Sequence, residues 1–326
     1  MFANIQNLLS PAVRALAWLG RQGTRAIAAL VFIGIAVPPL GALLKPFVTE
    51  AIFILLCISF TRVDAAALRG YLRHPAIVIA ATAWTTLAIP LLMGLSCIAT
   101  GVDTRTPDLF LGLMLQGVAS PMMAAPALAA LMGLDATLVL ITLVTSTALV
   151  PLTAPLFAYA FFGSALTLSP LALGLKLFAI LGGSLAVASL IRHCTGDEAI
   201  RRHKEAIDGF NILVLLVFVS AVMGSVVPAF LASPVKILLL TLFAFAVFLA
   251  LLGLTVVVFI RAGIEKAFAL GLVVSQRNMG LMVAATDAML PGLTWVYFAL
   301  CQLPIYLSPQ LLKPLVRKLR PAPPPV

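Results

Sequence analysis

Ser275-Gln276-Arg277-Asn278-Met279-Gly280 interrupts an otherwise apolar run from Phe268 to Leu290. Four consecutive polar residues, one of them a permanent cation, followed by a glycine make a poor centre for a membrane helix. An arginine at mid-bilayer costs ~2.5–3.5 kcal/mol on insertion scales. Polar or broken helix at membrane depth persists only where it is buried in protein or lines a cavity. Arg277 has about two helical turns of apolar sequence before it and about three after it. Snorkelling to a headgroup, the natural reading at a helix end, is therefore disfavoured, and the stretch reads as a substrate or ion site.

The surrounding chain has 326 residues, 62% of them hydrophobic and 10% charged, and a mean hydropathy of +1.15. That composition excludes an ordinary soluble domain. Its apolar runs are about 20 residues long, enough to cross a ~30 Å hydrocarbon core as helices. The expected fold is an all-α polytopic membrane protein with ten transmembrane helices. They are placed near 26–44, 47–62, 75–98, 108–133, 136–162, 170–191, 209–231, 235–260, 265–290 and 292–312. Pro46, Pro75, Pro107, Pro170, Pro234 and Pro291 fall at or near their starts, where a missing amide costs little. The connections are short, and the longest, Arg192 to Asp208, is expected to carry no fold of its own. Residues 1–25 form an N-terminal cytoplasmic segment. Within it Phe2, Ile5, Leu9, Ala12, Leu16 and Leu19 recur at helical spacing, which fits a helix on the membrane surface or a solvated tail. Arg21 and Arg25 stand where a signal-peptide cleavage site would be.

Charge sets the orientation. With the N-terminus inside, all but five of the 21 basic residues fall in cytoplasmic segments. They are Arg14, Arg21 and Arg25, then Arg62, Arg69 and Arg73, then Arg192, Arg201, Arg202 and Lys204, then Arg261 and Lys266, and finally Lys313, Arg317, Lys318 and Arg320. Lys45, Arg105 and Lys236 are outside, while Lys176 and Arg277 lie within spans. This positive-inside pattern predicts a multi-pass inner (plasma) membrane protein with both termini cytoplasmic. The net charge of +10 is thus a topology signal rather than a nucleic-acid footprint. Cys57, Cys97, Cys194 and Cys301 have neither metal-ligand spacing nor a disulfide pattern. His74, His193 and His203 lie in loops and no acid pair occurs within the spans, so an intramembrane enzyme is not expected, nor a metal. The sequence has no P-loop to couple the chain to ATP. Of the membrane carboxylates, Glu50 and Glu265 lie at span ends and Asp287 near the outer end of span 9; each reads first as a solvated interfacial residue, and Asp287 is the best of the three as a proton relay.

Sliding the second half onto the first by 158 residues places Ser120 on Asn278, Met132 on Leu290 and Pro151 on Pro309; a shift of 159 places Pro75 on Pro234. Spans 3–5 thus match spans 8–10. Five spans separate the copies, an odd number, so two five-helix repeats, 26–162 and 163–318, are expected with inverted topology. The same register superposes the two broken spans. Span 4 carries Gln116, Gly117, Ser120, Pro121 and Pro126 at its centre, and Pro121 removes an amide and clashes with the preceding turn. Discontinuous helices at matching positions of inverted repeats point to a transporter's binding site. Their half-helix N-termini favour an anionic group, and their freed carbonyls favour a cation. Thr142, Thr145, Ser146 and Thr147 either bond back to their own helix or line the site beside the breaks.

Three stretches carry a family resemblance: Val118-Ala119-Ser120-Pro121-Met122, Thr145-Ser146-Thr147-Ala148-Leu149-Val150-Pro151 and Asn278-Met279-Gly280-Leu281. Together with the span count and repeat layout, they resemble the bile acid:sodium symporter family, as a bacterial homologue with degenerate sodium-ligand positions. The resemblance implies a core domain of spans 3–5 and 8–10 (75–162, 235–312) whose broken helices cross. It also implies a panel domain of spans 1, 2, 6 and 7 (26–62, 170–231), with bile acids, steroid sulfates or small carboxylates held between the two and carried with sodium. The departures are as informative. The family's Ser-Asn in span 4 is Ser120-Pro121 here, and its glutamate and glutamine in span 9 are Val273 and Arg277. Its serine and threonine in the following helix are Val139 and Leu143, with Thr142 one residue away. Hard oxygen ligands are lost and a positive charge is gained, which argues against Na⁺ coupling and puts the Arg277 guanidinium in the place of the missing cation.

The expected function is secondary active transport of a small organic anion, bile-acid-like, carboxylate or sulfate. The substrate-binding candidates are Arg277, Asn278, Gln276, Ser275, Ser120 and Gln116. Ser120, Thr142, Ser146 and Asn278 are candidates for a coupling ion, Na⁺ or H⁺, and no cofactor is expected. The partners are the lipid bilayer and the anion, with no nucleic acid, and a monomer is compatible with the layout. The alternative is a channel or ligand-sensing receptor on the same fold.

Overall fold

The computed structural model describes residues 2–61, 75–162 and 169–319. Arg62, Arg69, Arg73, His74 and Arg320 and the proposed repeat boundary at 163 lie outside them. Among the described residues the chain is helical, with one isolated bridge in place of any strand. The helices are α1 (Phe2–Gln22), α2 (Thr24–Ala36), α3 (Pro38–Leu44), α4 (Val48–Thr61), α5 (Pro75–Ala83), α6 (Ile89–Thr100) and α7 (Val102–Arg105). Next come α8 (Pro107–Val118), α9 (Ala125–Met132), α10 (Ala136–Phe157), α11 (Pro170–Arg202) and α12 (Lys204–Met223). The last are α13 (Val226–Ala232), α14 (Pro234–Phe259), α15 (Ile264–Ser275), α16 (Met279–Ala285) and α17 (Gly292–Leu319).

Among the described residues six stretches are long and apolar enough to cross a membrane: Pro38–Thr61, Pro75–Thr100, Ala136–Phe162, Pro170–Arg202, Lys204–Ala232 and Pro234–Ala262. The chain is thus an all-helical polytopic membrane fold. Ten spans are expected from hydropathy, and the difference has local causes. Expected spans 4 and 9 are each split into two short helices, and the apolar part of α17 runs only from Gly292 to Ser308. The first interruption also moves, from Lys45-Pro46 to Val37. Val37 precedes Pro38-Pro39 and is pushed out of the helical region, to φ −123° and ψ 70°. Pro46 instead sits in a 3₁₀ turn, Lys45–Phe47, that joins α3 to α4. The segment after Arg192, expected as a loop, is helical. α11 continues across a kink at Gly196 (φ 76°) to Arg202, and α12 follows at Lys204.

The residues fall into two compact units, 1–63 with 180–233 and 64–179 with 234–326. In the first unit α12 is the axis on which α1 to α4 pack. The contact with α1 is made through backbone: a Cβ on Gly209 would lie 1.8 Å from the Leu16 carbonyl oxygen, and one on Gly20 would lie 2.0 Å from that of Glu205. Only glycine permits that approach, and Arg21 closes it with an ion pair to Glu205 at 2.8 Å. The N-terminal segment is therefore a helix packed on α12.

In the second unit, α15 is buried among α14, α10 and α9. Its buried residues run without a break from Ala267 to Ser275, which is why no polar face appears in its sequence. α17 packs on α14 and α8, and the first ten residues of α11, 170–179, belong to this unit as well.

Candidate functional site

α8 stops at Val118, and Ala119 turns extended, with φ −62° and ψ 148°. Pro121 has no N–H to continue the helix, and Ser120 before it is steered away from helical angles. The chain re-enters a helix at Ala125, with Pro126 fixing φ in the first turn. The second interruption is made differently. α15 stops at Ser275, Gln276 is extended (φ −90°, ψ 90°), and Asn278 caps α16 by accepting the Leu281 N–H on its Oδ1 at 3.3 Å.

The two interruptions are bonded to each other. The Met122 N–H donates to the Gln276 carbonyl and the Asn278 N–H to the Ser120 carbonyl, both at 2.7 Å. Between these bonds Pro121 and Arg277 face each other as an antiparallel bridge. This is the non-hydrogen-bonded type of pair, so neither residue owes an N–H to the ladder. A proline fits there without loss.

An extended bridge sends alternate side chains to opposite faces. The sequence grouped Arg277 with Gln276, Asn278 and Ser120, and the crossing divides them. Arg277 reaches the π turn Trp84–Ala88 between α5 and α6, where its Nη1 and Nη2 both donate to the Thr85 carbonyl at 3.2 Å. Gln276 reaches α17, donating from Nε2 to Ser308 Oγ at 2.8 Å. Gln116 also faces α17, where its Oε1 accepts from Tyr297 Oη at 2.7 Å and from Cys301 Sγ at 3.8 Å. Ser275 bonds back to the Leu272 carbonyl of its own helix. Gln116 and Gln276 thus hold helices together, and Ser275 is used within its own.

Thr85 is available to Arg277 for a reason written in its own helix. In the π turn the Ile89 N–H donates to the Trp84 carbonyl. The next donor in that register would be residue 90, a proline without an N–H, so the Thr85 carbonyl is left free. The guanidinium takes it, and Nη1 donates a second bond to the Ala119 carbonyl at 2.9 Å. Ala119 is the C-cap of α8, so the cation sits at the negative end of that half-helix. The sequence expects N-terminal ends beside Arg277, and the contact is with a C-terminal one.

Arg277 is 1% exposed, and no Asp or Glu occurs among the described buried residues. Its positive charge is met by carbonyl dipoles, and its Nε–H has no hydrogen-bond partner in the protein. A buried donor left unmade costs ~1–3 kcal/mol, so this is a built feature rather than a neutral one. Val273, Val139 and Leu143 are buried and apolar. The hydroxyls of Ser120, Thr142 and Ser146 are buried and unpartnered, while the Asn278 side-chain oxygen is used in its cap. Thr145 bonds back to the Ile141 carbonyl and meets Thr82 Oγ1 at 2.6 Å. Asp287 pairs with Lys176 with both side chains well exposed, away from the buried crossing. An apolar groove of about 540 Å³, lined by Ala80, Trp84, Leu87, Leu91, Phe157 and Phe259, holds none of the candidate residues.

Sequence reasoning missed Thr85, Ala119, Tyr297 and Ser308. Pro90, five residues after Thr85, was a usable signal for the first. No local signal marks the others. The chain matches no known protein-family model and no curated protein.

Proposed function

We propose that this chain is a secondary active transporter of a small organic anion, with the site at the crossing of the two interrupted segments. The observation that carries the reading is the Arg277 guanidinium. It is a buried cation without a carboxylate, bonded to carbonyls that two helix irregularities set free. Such a group attracts an anion, and the attraction is strengthened where the dielectric is low.

Three further observations support the layout of a core and a panel with inverted repeats of five spans each. The segments that cross are 12 and 8 residues (α8, α9) and 12 and 7 residues (α15, α16). The shift of 158 that pairs Ser120 with Asn278 also pairs Ala119 with Arg277, and both pairs are bonded. Each compact unit draws on both halves of the chain. In this reading the cycle alternates access between core and panel across the inner membrane, with both termini cytoplasmic.

A cation tethered at carbonyls of the crossing makes a diffusible sodium ion redundant there and repels it. Uptake of labelled carboxylates and sulfates into proteoliposomes tests the proposal. Saturable uptake with counterflow is expected, unchanged when choline replaces Na⁺ at fixed pH and membrane potential. Unitary currents would make the protein a channel. Binding without uptake would make it a receptor, and loss of nearly all uptake in choline would reinstate sodium coupling.

A further inference from the structure

A guanidinium has five N–H groups, arranged along three edges. In Arg277 the Thr85 carbonyl accepts from both Nη1 and Nη2, at 3.2 Å each, and so occupies the end edge between them. The Ala119 carbonyl, at 2.9 Å, takes the other Nη1 hydrogen, on the Cδ side. Two hydrogens remain, that of Nε and the second one of Nη2. Nε has no partner in the protein and is shielded from solvent. These two hydrogens lie side by side and parallel, and they form the edge that receives both oxygens of a carboxylate or sulfate.

We infer that the substrate anion is recognised by this edge, through two oxygens in the plane of the guanidinium. The inference rests on the transport reading and makes it specific. The protein spends three of the five donors on holding the side chain, and the three it spends leave the fork intact. Had Ala119 taken the Nε hydrogen instead, only single-point contact would remain. The class selected is therefore a planar or tetrahedral oxyanion with two oxygens free: carboxylates, sulfate esters and sulfonates. Halides, which present one point to both hydrogens, and neutral amides, which match one hydrogen and turn a donor to the other, are held less well. Because Nε is buried, the fork is loaded only after the groups covering it have moved.

The test uses the full chain labelled with ¹⁵N-arginine in lipid nanodiscs, with the Nε–H resonance of Arg277 assigned by its loss in Arg277→Lys. Benzoate, cholate and methyl sulfate are the oxyanion probes, and benzamide and chloride are the controls. The expected result is a downfield, saturable movement of that resonance with at least one oxyanion and a smaller movement or none with either control. Arg277→Lys, which keeps the charge and lacks the fork, should weaken that oxyanion about tenfold or more. Thermal stabilisation by an oxyanion with the Nε–H unmoved would place the anion elsewhere, overturning the inference while the transport reading stands. Movement of the resonance in a protein without uptake would keep the fork and overturn transport. An Nε–H that responds to no probe, in a protein that none of them stabilises, overturns both. Movement with chloride as large as with benzoate overturns the two-oxygen specificity.

Discussion

The two interruptions at the crossing have the same shape and opposite chemistry. Residues 119–124 leave the helix because Pro121 has no amide to give, and no side chain there carries charge. Residues 276–278 leave it with a capping asparagine and a buried cation, and contain no proline. One break is enforced by the backbone and the other is held open by side chains that need partners. The first is rigid whatever surrounds it. The second depends on what it meets, namely the carbonyls of Thr85 and Ala119. A site that must both bind and release a ligand is more naturally built on the second kind.

That contrast can be broken experimentally, most strongly at Arg277. Arg277→Ala leaves two buried carbonyls without donors, at ~1–3 kcal/mol each. The expected loss is thus roughly 2–6 kcal/mol, read as a lowered midpoint of unfolding in mild detergent. A variant as stable as the native protein would show that water replaces the guanidinium and that the break does not depend on it.

Pro121→Ala probes the other break. Alanine is favoured over proline by ~3 kcal/mol inside a helix, and at residue 121 it adds an N–H for which the bridge has no acceptor. α8 should extend past Val118, slowing amide exchange at Ser120 and quickening it at Asn278, whose N–H relies on the Ser120 carbonyl. Unchanged exchange at both would mean that the crossing itself, rather than the proline, dictates the interruption.

Asn278→Ala should cost about 1 kcal/mol, the usual worth of a helix cap, with faster exchange at Leu281. No corresponding cap exists in the proline-built break: Ala124 precedes α9 without a side-chain bond. Ala124→Gly is accordingly expected to be nearly neutral beside it, and a larger effect there would blur the distinction.

The smallest effect belongs to Lys176→Met, which removes the partner of Asp287. Exposed ion pairs are worth ~0–1 kcal/mol, and this one joins α11 to the turn after α16, where Asp287 and Ala288 adopt φ of 53° and 56°. Loss of uptake in Lys176→Met at unchanged stability would restore Asp287 as a candidate relay.

Sequence alone determined where the two crossing helices fail. Proline before residue 122, a polar run across residues 275–278 and glycine after it act on their own backbone within a turn, so their effect is visible without knowing any neighbour. Sequence also determined the membrane class, because apolar length is a property of the strand of residues itself. It misplaced the first interruption, taking Pro46 for the boundary. A proline within a first turn is tolerated, whereas the residue before Pro38-Pro39 is not. Only the tertiary structure decided what the broken segments do. Whether residue 277 faces α5 and α6 or α17 depends on the register of the bridge, and a slip of one residue would exchange the environments of Gln276 and Arg277. The acceptors of Arg277 are backbone carbonyls, which every residue has. Nothing in the identities of Thr85 or Ala119 announces them, and the fork they leave free exists only once both are in place.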